Sequence, residues 1–375
     1  MKKIVTFCLL LWLFAMPCAA KTETEELYLQ QLESSGANDL WNTLPEQTKQ
    51  RLLELGVTDL EDLGTIVPNT ETALSYLWGM LTETAATPMA ASAVVIGIVL
   101  LCALIDGMKE TVGGEHASLF GSVGVLACSA AVITPMLSCL KRVVDAAESA
   151  DVFITSFVPV YAGVLATSGQ WATAASFQSV LLLTAKGMSY LLSNMIVPLL
   201  MVAFALGLIG SVSDGRLQLH TVGSFLQKNT AWILGALMTV FIGFLSLQNL
   251  TAAATDSFSG RMIRFSVASF VPIVGGSLSE AIGTVKGCLG LLKGTVGAFG
   301  VVADVLIVLP PLLECVWWQI WLSIAQMIAD LFGIASVGTI LKVGGGLMKT
   351  LIAVLACLAL LMVLAVTVVS GSGGG

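Results

Sequence analysis

The stretch Val271–Gly300, VPIVGGSLSEAIGTVKGCLGLLKGTVGAFG, combines closely spaced glycines with three charged residues in an otherwise apolar run. Glycine destabilises a water-soluble helix by about 1 kcal/mol relative to alanine. In lipid, by contrast, glycines four residues apart let two helix backbones approach closely. On a helix, six glycines fall on one face, within an arc of about 80°: Gly276, Gly283, Gly287, Gly290, Gly294 and Gly297. The sequence therefore predicts a helix-packing surface, here called the glycine seam, with a glycine-rich loop as the alternative.

Charged residues lie at the margins of the glycine seam. Lys286 and Lys293 flank one side and Glu280 flanks the other. Two further charges, Lys186 and Asp304, interrupt apolar runs elsewhere. Ionisable residues in membrane segments commonly mark functional sites, so these five residues are predicted to line a polar space or a subunit junction. For Lys186, Glu280 and Asp304, structural pairing with an opposite charge is an equally good explanation.

The composition of the whole chain indicates a membrane protein. Of its 375 residues, 56% are hydrophobic and only 11% are charged, whereas soluble domains have about 25% charged residues. Residues 21–87 contain three basic and twelve acidic residues, so the remainder of the chain is close to neutral. No basic surface for binding nucleic acid is therefore expected. The predicted fold class is an all-α, polytopic helical membrane protein embedded in the lipid bilayer.

Residues 1–20, MKKIVTFCLLLWLFAMPCAA, have the pattern of a secretory signal sequence. Lys2 and Lys3 precede an apolar run, and small residues lead to a plausible cleavage site after Ala20. An uncleaved anchor is the alternative, and a lipoprotein signal at Cys18 is weaker because a proline precedes it. In each case residues 21–87 are expected on the extracytoplasmic side.

Residues 21–87 are predicted to form an acidic, mostly helical extracytoplasmic segment. Thr43 and Glu46 have the spacing of a capping box, and Gly56 would end the helix that follows. A further helix is predicted over Thr70–Thr82, with apolar residues at spacings of three and four. A solvated linker is the alternative.

Residues 88–370 contain about 7–10 hydrophobic segments, followed by a flexible tail at 371–375. A spanning helix needs about 20 apolar residues. The long run Ser176–Gly210 is expected to break near Asn194–Pro198 into two segments. The remaining candidate segments are Pro88–Ile105, Ser118–Leu140, Val152–Ser168, Ala231–Leu250, Phe265–Phe299, Val301–Leu313, Cys315–Phe332 and Leu347–Val369.

The chain shows no recognisable catalytic, metal or cofactor motif. Its two histidines, His116 and His220, are expected in polar connections, and its eight cysteines as small buried residues. The acidic segment contains no cysteine, so a disulfide framework is not expected. Glu314 and Asp330 are predicted at a membrane interface beside the cluster Trp317, Trp318 and Trp321. Enzymatic activity and cofactor binding are therefore not expected.

The order of these features resembles the stage III sporulation protein AE family of endospore-forming bacteria. The resemblance is strongest over Ser269–Gly300 and includes Pro310 in the next apolar run and the segment FVPVYAGVLATSGQWATAASFQ, Phe157–Gln178. Matching positions in the first stretch are Phe270, Pro272, Gly275, Ala281, Thr284, Val285, Lys293, Val296, Gly297 and Gly300.

The resemblance implies a subunit of a channel-like complex in the mother-cell membrane around the forespore, together with other membrane subunits encoded beside it. It also implies a role in late forespore development without catalytic residues. A stand-alone secondary transporter is the alternative, motivated by Lys186, Glu280 and the break near Asn194. A membrane-embedded enzyme is a third hypothesis, and no motif favours it.

Overall fold

The computed structural model describes residue 37 and residues 39–58, 70–107, 114–212, 219–270 and 275–371. The expected signal sequence at 1–20, the start of the acidic segment and the last four residues lie outside these ranges. The described chain is helical throughout, without strands in those ranges. In chain order the helices are α1 (Asp39–Thr43), α2 (Glu46–Glu54), α3 (Thr70–Gly107), α4 (Gly114–Thr167), α5 (Trp171–Leu191), α6 (Val197–Val212), α7 (Leu219–Phe270), α8 (Gly275–Leu331) and α9 (Ala335–Gly371).

The long helical stretches form a bundle in which each stretch runs opposite to the one before it. Helix α8 and helix α9 make the most extensive pairing, and α8 also packs on α3 and α4. Glycines with left-handed φ values, 81° at Gly169 and 73° at Gly333, allow the tight turns before α5 and α9. Most residues of α8 between Leu289 and Trp318 are buried in the bundle, so this helix is the central element of the described fold.

Six helical stretches in the described ranges are long and apolar enough to cross a membrane. This agrees with the predicted class, a polytopic helical membrane protein, but adjacent hydrophobic segments are joined. Ser118–Leu140 and Val152–Ser168 both lie in or at the end of the 54-residue helix α4. The intervening residues 141–151 contain neither glycine nor proline, so nothing in them ends a helix. At 1.5 Å per residue, α4 is about 80 Å long and much longer than the hydrocarbon layer of about 30 Å.

Prolines do not end α8. The break expected after Val301–Leu313 is absent, because Pro310 and Pro311 lie inside a 57-residue helix. A proline in a helix deprives the carbonyl four residues earlier of its donor, and Pro310 does so for Leu306. The Nη1 atom of Arg51 lies 3.5 Å from the Leu306 carbonyl oxygen and donates to it. A side chain from the N-terminal segment thus replaces a missing helical hydrogen bond.

The break expected near Asn194–Pro198 does not reverse the chain direction. A π-helical segment, Leu192–Ile196, connects α5 and α6. Pro198 removes the donor for the Asn194 carbonyl, and the Asn194 side chain donates to the carbonyl of Tyr190 at 3.1 Å. The result is a local change of hydrogen-bond register within one long helical stretch.

The N-terminal segment packs on the bundle and contributes to its core. Leu40 and Leu52 are buried, and the Trp41 ring stacks on Phe299 of α8 with centroids 6.4 Å apart. The helix predicted at Thr70–Thr82 is the start of α3, which passes the expected boundary between residues 87 and 88 without interruption. Gly56 has a φ of 82° and ends α2 as predicted.

Two local predictions were wrong. The Thr43 hydroxyl donates to the Leu40 carbonyl at the end of α1, so Thr43 does not cap α2. His116 and His220 lie in the first turns of α4 and α7 instead of in connections. The tryptophan cluster predicted at the membrane interface packs partly on other helices, since Trp318 is buried and Trp317 donates to the Leu81 carbonyl at 3.0 Å. Its position relative to a membrane interface stays a prediction.

Candidate functional site in the polar interior of the bundle

Lys293 connects the central helix to the end of the bundle. Its Nζ atom donates to Gln170 Oε1 at 3.1 Å and to the Val369 carbonyl at 3.0 Å. Val369 lies in the last turn of α9, where carbonyl groups lack helical donors and carry the negative end of the helix dipole. The buried ammonium group therefore stabilises the end of α9 and fixes the α4–α5 turn beside it. Within the described chain this is a capping role.

Two more side chains hold the same turn of α9. Asn249 of α7 donates from Nδ2 to the Val368 carbonyl at 3.1 Å. The Tyr161 hydroxyl of α4 lies 3.3 Å from the Ser370 hydroxyl. Together with Lys293 they form what we call the capping cluster, in which three helices converge on the last turn of a fourth.

Asp256 caps the first turn of α5 from a different helix. Its two carboxylate oxygens accept from the backbone nitrogens of Ala172 and Thr173 at 2.9 and 3.0 Å. A carboxylate at a helix N-terminus satisfies donors and complements the dipole. Neither Asp256 nor Asn249 was predicted from the sequence. Asn249 lies at the end of the apolar segment Ala231–Leu250 and Asp256 follows it, and polar groups in membrane helices usually have a partner.

Glu314 of α8 forms a partly buried ion pair with the middle of α4. Its carboxylate contacts the guanidinium of Arg142, and the Cys139 thiol lies 3.6 Å from Glu314 Oε1. The Glu314 side chain is 10% exposed and that of Arg142 is 46% exposed. Glu314 is therefore paired with a residue of a neighbouring helix, and its position relative to the membrane interface stays a prediction. Asp330 is exposed at the end of α8.

Lys186 and Asp304 have opposite surroundings. Lys186 forms an ion pair with Asp151 at 2.7 Å and remains half exposed, so pairing explains its presence in an apolar run. Asp304 is 0% exposed. Neither of its carboxylate oxygens has a hydrogen-bond partner among the described residues.

The glycine seam is closely packed at one end and open in the middle. A Cβ atom at Gly297 would lie 3.0 Å from Val366 and 3.1 Å from Tyr161 Oη, and one at Gly300 would overlap Phe157. At Gly290 and Gly294 nothing in the described chain lies within 4 Å of such an atom. The first three glycines of the seam are Gly276, Gly283 and Gly287. They lie in helical backbone, as do the charged residues Glu280 and Lys286, but the side-chain surroundings of these five residues are outside the described part.

The described polar side chains act mainly as contacts between helices. The described residues contain no group of three or more His, Cys, Asp or Glu side chains that could hold a metal ion. The polar groups described above mostly connect helices to each other. Two features remain without a role inside the described chain, the open glycines and the Asp304 carboxyl group.

Comparison with known proteins gives one consistent result. A family model described as Stage III sporulation protein AE matches residues 61–373. The chain is 27% identical over 229 residues to the stage III sporulation protein AE of Bacillus subtilis (strain 168). The alignment covers 61% of this chain and 57% of that relative, so the chain spans little more than half of the relative's length. No solved structure matches.

Proposed function

Because the chain belongs to the stage III sporulation protein AE family, we propose that it is a membrane-embedded structural subunit of a sporulation complex. The complex would link the mother cell and the forespore, and the subunit would be needed for late forespore development. Its site of action would be the mother-cell membrane around the forespore. The family match over most of the chain is the observation that carries this proposal.

The six apolar helices support a function inside a membrane assembly. Large apolar side chains are exposed along α7, among them Trp232, Val240 and Leu250. In water such a surface would be a strong aggregation liability, whereas in a membrane it faces lipid or other membrane subunits. The partners proposed are therefore other membrane proteins of the same complex.

The glycine seam is proposed as a contact surface for one of these subunits. At Gly297 the space beside the backbone is occupied by side chains of this chain. Gly290 is exposed, and no described atom lies within 4 Å of the position that a Cβ atom would take there. Small residues at helix interfaces favour close van der Waals contact in lipid. A partner helix could therefore approach the backbone of α8 at Gly290. Glu280 and Lys286 are proposed to lie at the edges of that contact.

Deletion of the gene in its native sporulating host tests this function. We expect the deletion strain to engulf the forespore and then stop, with loss of heat-resistant spores that is restored by the intact gene. Normal spore numbers in the deletion strain would overturn the proposal. If purified protein alone catalysed solute uptake into liposomes, the stand-alone transporter would be favoured instead.

A further inference from the structure

Asp304 is a completely buried acid near the centre of the bundle. It lies on α8 with 0% exposure, and both carboxylate oxygens have no hydrogen-bond partner within the described residues. Buried polar groups in folded proteins are nearly always hydrogen-bonded, so each exception calls for an explanation. Asp304 has no structural role comparable to those of Glu314 and Asp256, which pair or cap.

No described cation is positioned to neutralise Asp304. Lys293 is on the same helix, but eleven residues earlier, about 16 Å along the axis, and it already binds Gln170 and Val369. On α4, Arg142 is engaged by Glu314.

The described cations on the other neighbouring helices are also occupied or exposed. Arg51 of α2 donates to the Leu306 carbonyl, which lies on the opposite face of α8 because two residues correspond to about 200°. On α9, Lys342 and Lys349 are exposed to the surroundings of the bundle. The Asp304 carboxyl group thus has no opposite charge among the described groups that pack around α8.

The surroundings of Asp304 are tightly packed and apolar. Gly297 and Gly300 lie seven and four residues before it and therefore share its face of α8. This face meets α4 through Phe157 and α9 through Met362. An unpaired carboxylate in such surroundings would lose its hydration without compensation, which costs far more than burial of the neutral acid.

We propose that Asp304 is a proton-binding site, a carboxylic acid that stays neutral while the bundle is closed. Its ligand is a proton, and release of that proton requires water or a cation to reach the α4–α9 face of α8. Pro310 and Pro311 remove two backbone donors within the next two turns, and Arg51 replaces the one that the Leu306 carbonyl lacks. The proposal does not depend on the sporulation role.

Carbodiimide labelling of the purified full-length protein tests this site. Dicyclohexylcarbodiimide reacts with a protonated carboxyl group: the acid proton moves to a carbodiimide nitrogen, the carboxyl oxygen adds to the central carbon, and the adduct rearranges to a stable acylurea where water is excluded. At neutral pH we expect an adduct on Asp304, found by peptide mass spectrometry, and none in Asp304→Asn. Exposed Asp145 on α4 is the matched control and should remain unlabelled.

Two further measurements make the outcome decisive if the reagent cannot enter the bundle. Infrared spectra should contain a carbonyl band of a protonated acid that is absent in Asp304→Asn. This variant is a neutral isostere and should keep the melting temperature of the wild type, as Asp145→Asn should. Absence of both the adduct and the band would overturn the proposal. The proposal would also be overturned if sodium suppressed the labelling of Asp304 while a bulky organic cation did not, since the site would then hold a metal ion.

Discussion

At the scale of single residues, several charged side chains of the bundle connect one helix to another. Lys293 and Asp256 each satisfy the end of another helix, and Arg142 neutralises Glu314. Removing one member of a buried ion pair leaves the other charge without compensation. The resulting loss of stability exceeds the net stabilisation that the pair contributes. Variants at these positions should therefore affect stability unequally, according to which charge remains buried.

The ion pair between Arg142 and Glu314 gives the clearest asymmetry. Arg142→Ala leaves a carboxylate that is only 10% exposed, whereas Glu314→Gln leaves a guanidinium that is 46% exposed. We expect Arg142→Ala to lower the free energy of unfolding by up to about 3 kcal/mol, and Glu314→Gln by less. Thermal unfolding in detergent measures both variants. Equal losses would show that the buried carboxylate is satisfied in another way.

Lys293→Met tests the capping cluster at the end of α9. The substitution keeps an apolar stem but removes the donors to Gln170 and Val369. Hydrogen bonds made by charged groups contribute about 1.5–3 kcal/mol each, so we expect a clear fall in melting temperature. Lys349→Met, at an exposed position on the neighbouring helix, is the control and should change it little. A melting temperature as high as that of the control would argue against the capping role.

At the scale of secondary structure, backbone interruptions are compensated from elsewhere in the chain. Pro310 leaves the Leu306 carbonyl without a helical donor, and Arg51 supplies one. This contact, with Trp41 on Phe299, fixes the N-terminal segment against α8. The segment therefore belongs to the bundle's core, and α8 remains one helix through its prolines.

A double-mutant cycle between Arg51 and Pro310 measures this compensation. Arg51→Ala should destabilise the wild type by about 1–3 kcal/mol. In a Pro310→Ala background the residue at 310 can donate to Leu306 itself, so the same change should have a smaller effect. The coupling is read from the four melting temperatures. Effects that simply add would mean that Arg51 does not act through this carbonyl.

Gly300, three residues beyond the last glycine of the seam, makes a separate prediction. A methyl group at position 300 would overlap Phe157 and crowd Met362, whereas one at position 294 meets no described neighbour. Overpacking typically costs about 1–3 kcal/mol, so Gly300→Ala should lower the melting temperature and Gly294→Ala should not. An unchanged melting temperature of Gly300→Ala would show that α4 and α8 can separate slightly without loss of stability.

The sequence was informative about helix type and weaker on boundaries and partners. Hydrophobic composition was sufficient for the helical membrane class, and Gly56 marked a true helix end. The continuity of α4 could be read from residues 141–151, which contain neither glycine nor proline. That of α8 could not, because prolines do not reveal whether another segment compensates them. Arg51 is 255 residues from the carbonyl that it binds, and such a contact leaves no periodic signal. For the same reason the partner of Glu314 on α4 was not predicted.

At the scale of the whole molecule, consecutive long helical stretches alternate in direction, so their connections should alternate between the two ends of the bundle. Thr167 and Phe332 lie at opposite ends of this arrangement, since Tyr161 is beside Ser370 at the end of α9 whereas Phe332 precedes its start. In a chain without its native cysteines, Thr167→Cys and Phe332→Cys should react with an impermeant maleimide from opposite sides of the membrane. Labelling of both from one side would contradict this topology.

The central claim is that the open part of the glycine seam binds another membrane subunit during sporulation. Affinity capture of the tagged full-length chain from membranes of sporulating cells tests it directly, by comparing the wild type with Gly290→Leu. The matched control is Gly163→Leu on α4, where an exposed glycine also has no described neighbour within 4 Å of a Cβ position. We expect the wild type and Gly163→Leu to retain the same membrane partners, and Gly290→Leu to lose them while keeping its melting temperature and abundance. Unchanged partners and spore counts with Gly290→Leu would contradict the claim.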